Sequence, residues 1–270
     1  MTLPKVRLVL SDIDGTLVTS DKALTDATIH VVHRLNDAGI HFAITSGRPP
    51  RGLTMLIEPL NLTTPLAAFN GGLIVDGDLK TLKELEIKDE LVGPIIDELS
   101  GHDLSIWVYQ GTDWFVLDLA GPHVAHETDV CQFRPRRLES FDGVRGNIIK
   151  IVGVSDEPDV VAQGLAALAK ELSDDVSATS SQSYYVDVTH RDANKGCVVD
   201  YLAERLSIDP QEIAVIGDMS NDLMMFARAG VSFAVANAPD NVKNAATHVT
   251  TSNDDEGFAN AMNRFILGTS

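Results

Sequence analysis

VRLVLSDIDGTL, residues 6–17, carries an apolar segment from Val6 to Leu10 into Ser11, then sets Asp12 and Asp14 two residues apart before Gly15 and Thr16. Desolvating a carboxylate is costly, so a buried strand that ends on two of them calls for compensating positive charge. In extended chain, residues i and i+2 point the same way, so both carboxylates can face one ligand. Two further apolar segments end in a similar manner. IHFAI (40–44) runs into Thr45-Ser46-Gly47-Arg48, and IAVI (213–216) runs into Gly217-Asp218-Met219-Ser220-Asn221-Asp222.

Helical patterns separate these segments. In LTDATIHVVHRLNDAG, Thr25 or Asp26 is placed to cap a helix, Ile29, Val32 and Leu35 recur at helical spacing, and Gly39 is placed to end it. PLAAF (65–69) is another short strand, ending on Asn70-Gly71-Gly72. Near the C-terminus, NKGCVVDYLAERL opens a helix at Lys195, LMMFARAG (223–230) reads as a helix closed by Gly230, and VSFAV (231–235) as a strand. This alternation predicts an α/β fold with a parallel sheet covered by helices. The middle has a different texture. LSIWVYQGTDWFVLDL reads as a hairpin, NIIKIVGV and SYYVDVT as strands, and PDVVAQGLAALAKEL as a helix. An α+β domain is therefore expected over 81–189, inserted into a discontinuous core formed by 1–80 and 190–270.

Composition narrows the function. The 270 residues are 44% hydrophobic and 22% charged, as in globular proteins. A net charge of −18 argues against nucleic-acid or membrane-surface partners, whose phosphates it would repel. Nothing approaches the length of a membrane span or a secretory h-region, and Cys131 and Cys197 have no metal-ligand spacing. A cytoplasmic protein with a small-molecule partner is expected, its oligomeric state unspecified.

The carboxyl ends of parallel strands line one crevice, where Asp12, Asp14, Ser46 and Asp218 would meet. Lys195, at a helix start, can join them. Three carboxylates make a hard oxygen site suited to magnesium, and a cation allows an anionic nucleophile to approach a phosphate dianion. An aspartate could then attack phosphorus, with Ser46 and Lys195 steadying the transferring oxygens.

DIDGT (12–16), TSGR (45–48), NKG (194–196) and GDMSND (217–222) resemble the four ordered motifs of the haloacid dehalogenase superfamily. The long insertion between the second and third resembles that of its Cof-like phosphatase branch. The resemblance spans the whole chain and implies a Rossmann-like core with an inserted cap. It implies Asp12 as nucleophile, Asp14 as general acid and base, and Ser46 and Lys195 as phosphate-binding groups. Magnesium would be held by Asp12, the backbone carbonyl of Asp14, and Asp218, with Asn221 and Asp222 in support. Gly47, Arg48 and Asn70 fall in motifs near the substrate. Ser46 stands where this branch more often has threonine, which keeps the hydroxyl. The implied reaction is hydrolysis of small phosphomonoesters, sugar phosphates foremost. Alternatives are a phosphomutase or phosphotransferase, and, in another class, a receiver-like or sugar-phosphate-sensing binding protein. A receiver needs neither the insertion nor a second aspartate at i+2.

Taken singly, each residue has a plainer reading: a loop carboxylate, a turn glycine, a surface lysine, or Asp222 as the cap of the helix that follows it. Four motifs in order outweigh these. Elsewhere the plainer reading prevails. His123 and His126, near Cys131, lack a fourth zinc ligand; Trp107 and Trp114 pack the inserted domain; Arg134–Arg137 form a solvated cluster. Asp187, Thr189, His190 and Asn194, on the approach to the third motif, are expected as substrate neighbours.

Overall fold

Leu8–Ser11 forms β1, and all four of its residues are buried. In the computed structural model, which describes residues 5–171 and 175–268, β1 lies inside a sheet covered on both faces. That explains its unbroken apolar reading. The chain continues through α1 (Asp26–Asp37), β2 (His41–Thr45), α2 (Ile57–Leu60), β3 (Leu66–Ala68), β4 (Leu73–Val75) and β5 (Thr81–Glu84). After the insertion come α6 (Lys195–Leu206), β12 (Ile213–Gly217), α7 (Leu223–Phe226), β13 (Val231–Ala234), α8 (Asp240–Ala245), β14 (His248–Val249) and α9 (Gly257–Ala261). The sheet order is β14-β13-β12-β1-β2-β3-β4-β5, parallel from β14 through β3 and antiparallel from β3 to β5.

Helix α1 begins as its sequence dictates: the Thr25 hydroxyl accepts from the Thr28 N–H, and Gly39 follows the helix at φ 74°. Its Val31, Val32 and Leu35 pack with Val9, Phe42 and Phe258 on one face of the sheet. On the other face, Leu8, Leu10 and Val215 meet Val198, Val199 and Leu202 of α6. The expected helix over 223–230 is shorter than its apolar pattern. The Gly230 N–H bonds to the carbonyls of Pro210 and Ile213, which draws the chain out of the helix after α7.

The insertion contributes α3 (Asp89–Gly101), β6 (Ser105–Gln110), β7 (Asp113–Val116), α4 (Val124–Cys131), β8 (Arg136–Arg137), β9 (Ile148–Val154), α5 (Pro158–Glu171), β10 (Val176–Thr179) and β11 (Tyr185–His190). Its sheet has the order β10-β11-β9-β6-β7-β8, with only the β7–β8 pair parallel. Thr81–Glu84 still pairs within the first sheet, whereas β6 through β11 build the second. One face of this second sheet packs Ile106, Ile151 and Val186 with Val92, Ile95 and Leu99 of α3 and Leu168 of α5. The other turns Trp107, Tyr109, Trp114 and Tyr185 toward the first sheet, where they share one apolar cluster with Leu53, Leu56 and Phe69. Trp107 and Trp114 meet edge to face at 4.9 Å, as the packing role expected of them requires.

Phe69 is the joint between the two sheets. Its ring lies 5.1 Å from that of Tyr109, and it opens a turn in which Phe69, Asn70 and Gly71 all have positive φ. Among the described residues no helix is long and apolar enough to cross a membrane. Phe69→Ala should cost roughly 3–5 kcal/mol of unfolding free energy, read from urea denaturation; a loss below about 1 kcal/mol would show that the joint is not a packed core.

Candidate active site

The register of the parallel strands assembles the site. Ser11 of β1 lies beside Ile44 of β2 and Ile216 of β12, so the loops that follow leave the sheet at one edge. Those loops carry Asp12 and Asp14, Ser46 and Arg48, and Asp218 and Asp222. Helix α6 begins at the same edge, its first turn capped by the Asn194 side chain, which accepts from the Cys197 N–H. Asn194, expected near substrate, is engaged in that cap.

Lys195 is 1% exposed, and its ammonium donates to Asp12 Oδ1 at 2.5 Å and Asp222 Oδ1 at 2.6 Å. The second Asp222 oxygen accepts the N–H groups of Asp218 and Met219, both at 2.9 Å. Asp222 therefore fixes the loop before it and makes no side-chain cap on α7. Asp218 accepts the Thr16 hydroxyl at 3.2 Å. Ser46 is buried, and its hydroxyl accepts the Arg48 N–H at 3.1 Å. Asn221 donates to Asn70 Oδ1 at 3.3 Å, joining the turn at the sheet junction to the last motif.

Asp14 is held by cations other than Lys195. The Arg48 guanidinium grips both of its oxygens, at 2.7 and 2.6 Å, and Lys22 adds a contact at 2.8 Å. Burial alone would raise the Asp14 pKa, but the hydrogen bonds and charge of Arg48, with those of Lys22, hold it down to about 2. Asp12 behaves oppositely. Burial lifts it well above the ordinary carboxylate range; Lys195 opposes that, and Asp222 and Asp218 add to it. Asp218 is pushed up to about 6, first by burial and then by Asp222. For Lys195, burial would lower the pKa, but the two carboxylates overcome it and hold the value above that of an ordinary lysine.

Asp12, Asp218 and Asp222 place one carboxylate oxygen each within 4.8 Å of one another, the single such trio of potential metal ligands among the described residues. Three buried carboxylates against one lysine leave two surplus negative charges, and the donors are hard oxygens. Both properties fit a divalent cation of the magnesium type. The Asp14 carboxylate, committed to Arg48 and Lys22, lies outside that trio.

These groups line a cavity of about 160 Å³ between the two sheets. The core supplies Asp12, Asp14, Lys22, Ser46, Gly47, Arg48, Lys195, Asp218 and Asn221, and the inserted domain supplies a wall that includes His126, Glu127, Lys150, Tyr184 and Tyr185. Asp187 and Thr189 lie on β11, on the face turned toward the core, whereas His190 accepts from the Asp192 N–H in the turn leading to α6. His123 stacks on Tyr184 at 3.8 Å and pairs with Asp156, so it is part of an aromatic cluster that includes the cavity residue Tyr184. Arg136 and Arg137 are exposed on β8, away from the cavity. Thr16, Lys22, Glu127 and Lys150 escaped the motif reading. Thr16 was within reach of it, as the last residue of DIDGT, and Lys150 stands out as the one charge in the apolar strand NIIKIVGV.

An aspartate held by a buried lysine beside two further carboxylates, at the carboxyl edge of a parallel sheet, fits the phosphoryl-transfer chemistry that the sequence motifs imply. The profile of the haloacid dehalogenase-like hydrolases matches residues 9–262. The chain belongs to that family and is a phosphatase, a phosphoric monoester hydrolase. It is 28% identical to the 5-amino-6-(5-phospho-D-ribitylamino)uracil phosphatase YwtE of Bacillus subtilis, over 97% of this chain and 99% of that one. A crystal structure of a haloacid dehalogenase-like hydrolase from Bacteroides thetaiotaomicron superposes with a TM-score of 0.88 at 27% identity, covering 96% of this chain and 99% of that one. The subclass IIB sugar phosphatase BT4131 shares the fold, with a TM-score of 0.81 at 20% identity over 96% and 99% of the two chains.

Two predictions concern the site's stability. A Cβ on Gly15, which has φ +77°, would sit 2.4 Å from Asp218 Oδ2. Gly15→Ala should therefore cost roughly 1–3 kcal/mol in urea unfolding and displace Asp218, cutting turnover; a silent substitution would refute the close approach. The second concerns pH. Between about pH 4 and 6 the folded Asp218 keeps a proton that the unfolded chain has lost, so without added metal its contribution to stability falls as pH rises through that window. The melting temperature of wild type relative to Asp218→Asn should decline across it and recover with magnesium; a flat difference would refute the assignment.

Proposed function

We propose that this chain hydrolyses the phosphomonoester of a small hydroxylated metabolite, a sugar or sugar-like phosphate, through an aspartyl-phosphate on Asp12. One observation carries the reading: Lys195 is suspended between Asp12 and Asp222 in a buried cluster with Asp218, so the nucleophile is aimed and its charge partly balanced before substrate arrives. The 160 Å³ cavity between two folded layers is below the ~300–1,000 Å³ of drug-sized ligand sites, which suits a small metabolite.

Asp12 attacks phosphorus, the bond to the leaving oxygen breaks, and that oxygen takes a proton from Asp14. A water then gives a proton to Asp14, attacks the phosphorus of the aspartyl-phosphate, and releases inorganic phosphate and free Asp12. The Ser46 hydroxyl and the Lys195 ammonium donate to the transferring oxygens, where negative charge gathers. Asp14 can serve as acid only after its carboxyl leaves Arg48 and Lys22 and takes up a proton from water, because the paired form is ionised. A phosphate dianion entering beside Arg48 competes for that guanidinium and favours the release. Asp12, Asp218 and the Asp14 backbone carbonyl would hold magnesium, with Asp222 keeping Lys195 and the 218–219 loop in place. The cation would neutralise the surplus charge and polarise the phosphoryl oxygens.

Relatives support a polyol-bearing leaving group: YwtE is named for a phosphorylated ribityl compound and BT4131 as a sugar phosphatase. Phosphate release should be measured with hexose and pentose monophosphates and 5-amino-6-(5-phospho-D-ribitylamino)uracil, with magnesium or with EDTA. Turnover should require magnesium and fall at least ~1,000-fold in Asp12→Asn. Retained turnover in that variant refutes the nucleophile, and an isomeric sugar phosphate in place of free phosphate would make the enzyme a mutase.

A further inference from the structure

Strand β9 is apolar apart from one residue, Lys150, whose side chain is 10% exposed and forms an ion pair at 2.5 Å with Asp187 of β11, 6% exposed. A register shift in the pairing of β6 with β9 lets Ile149 and Lys150 both reach the layer that faces the catalytic domain. Ile149 packs near Gly72, and the Lys150 ammonium lies 6.0 Å from the Phe69 ring centre. Around the pair stand Tyr109, Val152 and Tyr185, all buried. Desolvating two charges in such a layer stabilises a fold little, and well-packed apolar residues would serve stability as well. Lys150 nevertheless opens onto the cavity, and among the described residues it is the one lysine or arginine that the inserted domain contributes to the lining.

Asp187 ties down two parts of that wall. One oxygen meets Lys150, and the other accepts the Ser181 N–H at 2.9 Å. This second bond holds the turn between β10 and β11, which presents Ser181 and Gln182 to the cavity. Neighbouring Glu127 accepts the Tyr185 hydroxyl at 3.4 Å and the Cys131 thiol at 3.1 Å. The wall that the inserted domain supplies thus offers an ammonium donor beside carboxylate, hydroxyl and imidazole groups, and among the described residues no second lysine or arginine to hold another anion.

We propose that Lys150 selects the leaving group by donating to one of its hydroxyls, and that Asp187 is a positioning residue which sets both Lys150 and the Ser181 turn for that contact. The inference rests on the phosphatase reading and extends it. The substrate carries one phosphate and an uncharged, hydroxylated remainder; a second phosphate or a carboxylate on the remainder meets Glu127 unfavourably, and the Lys150 charge that could hold it is already balanced by Asp187.

The test compares wild type, Lys150→Met, Asp187→Asn and the double variant K150M/D187N, which leaves neither charge buried alone, on two substrates with magnesium. p-Nitrophenyl phosphate has no hydroxyl on its leaving group and reports phosphoryl chemistry; glucose 6-phosphate reports leaving-group recognition. K150M and the double variant should hold kcat/KM on p-nitrophenyl phosphate within about threefold while losing roughly 10- to 100-fold on glucose 6-phosphate, mainly through KM. D187N should shift in the same sense by a smaller factor, and wild type should discriminate against fructose 1,6-bisphosphate. Equal losses on both substrates, or an unchanged ratio in the double variant, would overturn the assignment. Wild type active on p-nitrophenyl phosphate but on no hydroxylated monophosphate of the panel would overturn it while leaving the phosphatase reading intact. Inactivity on every phosphomonoester removes both.

Discussion

The ammonium of Lys195 between Asp12 and Asp222 is the contact on which the rest of the site depends. Burial of a lysine with 1% exposure favours loss of its proton, which the two carboxylates oppose, and Lys195 in turn opposes protonation of Asp12. The three groups come from the loop after β1, the start of α6 and the loop after β12, so the two contacts lock three distant pieces of sequence to one sheet edge. Asp222 extends the lock by accepting two backbone N–H groups from the loop that carries Asp218. Gly217 makes room for this: a Cβ there would sit 2.3 Å from the Asp222 carboxyl carbon. The aspartates at the head of the sequence are tolerable in a buried position because charge, backbone and close packing converge on them.

The second constraint lies at the joint between the layers. Three consecutive residues with positive φ, one of them a buried phenylalanine, form a conformation that isolated chain disfavours. It persists because the surroundings determine it from several sides. The Asn70 N–H bonds to the Ser46 carbonyl at 2.8 Å, the Phe69 N–H to the Arg48 carbonyl at 3.1 Å, and the ring packs on Tyr109. The same turn touches the loop that carries Ser46 and Arg48, the loop after β12 through Asn221, and the sheet that bears Lys150. The position of the inserted domain is thereby coupled to the loops that line the cavity.

Much of this was legible in the sequence because it obeys local rules. The run from Leu8 to Ser11 is apolar throughout because both faces of its sheet are covered, Thr25 caps α1, and the polar residues that follow parallel strands gather at one edge. Other features depend on contacts far apart in sequence. Nothing local distinguishes an Asp14 facing substrate from one held by Arg48 and Lys22, and Lys22 stands in a turn without periodic pattern. The α7 pattern overran the helix because a carbonyl pair two elements away claims Gly230. Lys150 was a visible exception in an apolar strand, but its direction is set by a register shift, which an alternating pattern does not encode.

The arrangement also reconciles a strongly acidic protein with an anionic substrate. Charge is sorted by depth. Innermost, Asp12, Asp218 and Asp222 outnumber Lys195, which is the balance a divalent cation would meet. Further out, Lys22 and Arg48 outnumber Asp14, which is the balance a phosphate would meet. On the opposite wall Lys150 is offset by Asp187 and Glu127, so that region offers hydrogen bonds and little net attraction for anions. In the proposed reaction a phosphate drawn by the middle layer would be set against Asp12 while its remainder would lie on the neutralised wall, so the sign of each layer would orient the substrate as well as attract it. On that proposal phosphoryl chemistry and leaving-group recognition reside on different sheets, so the wall can change with substrate while the lysine–aspartate lock stays fixed.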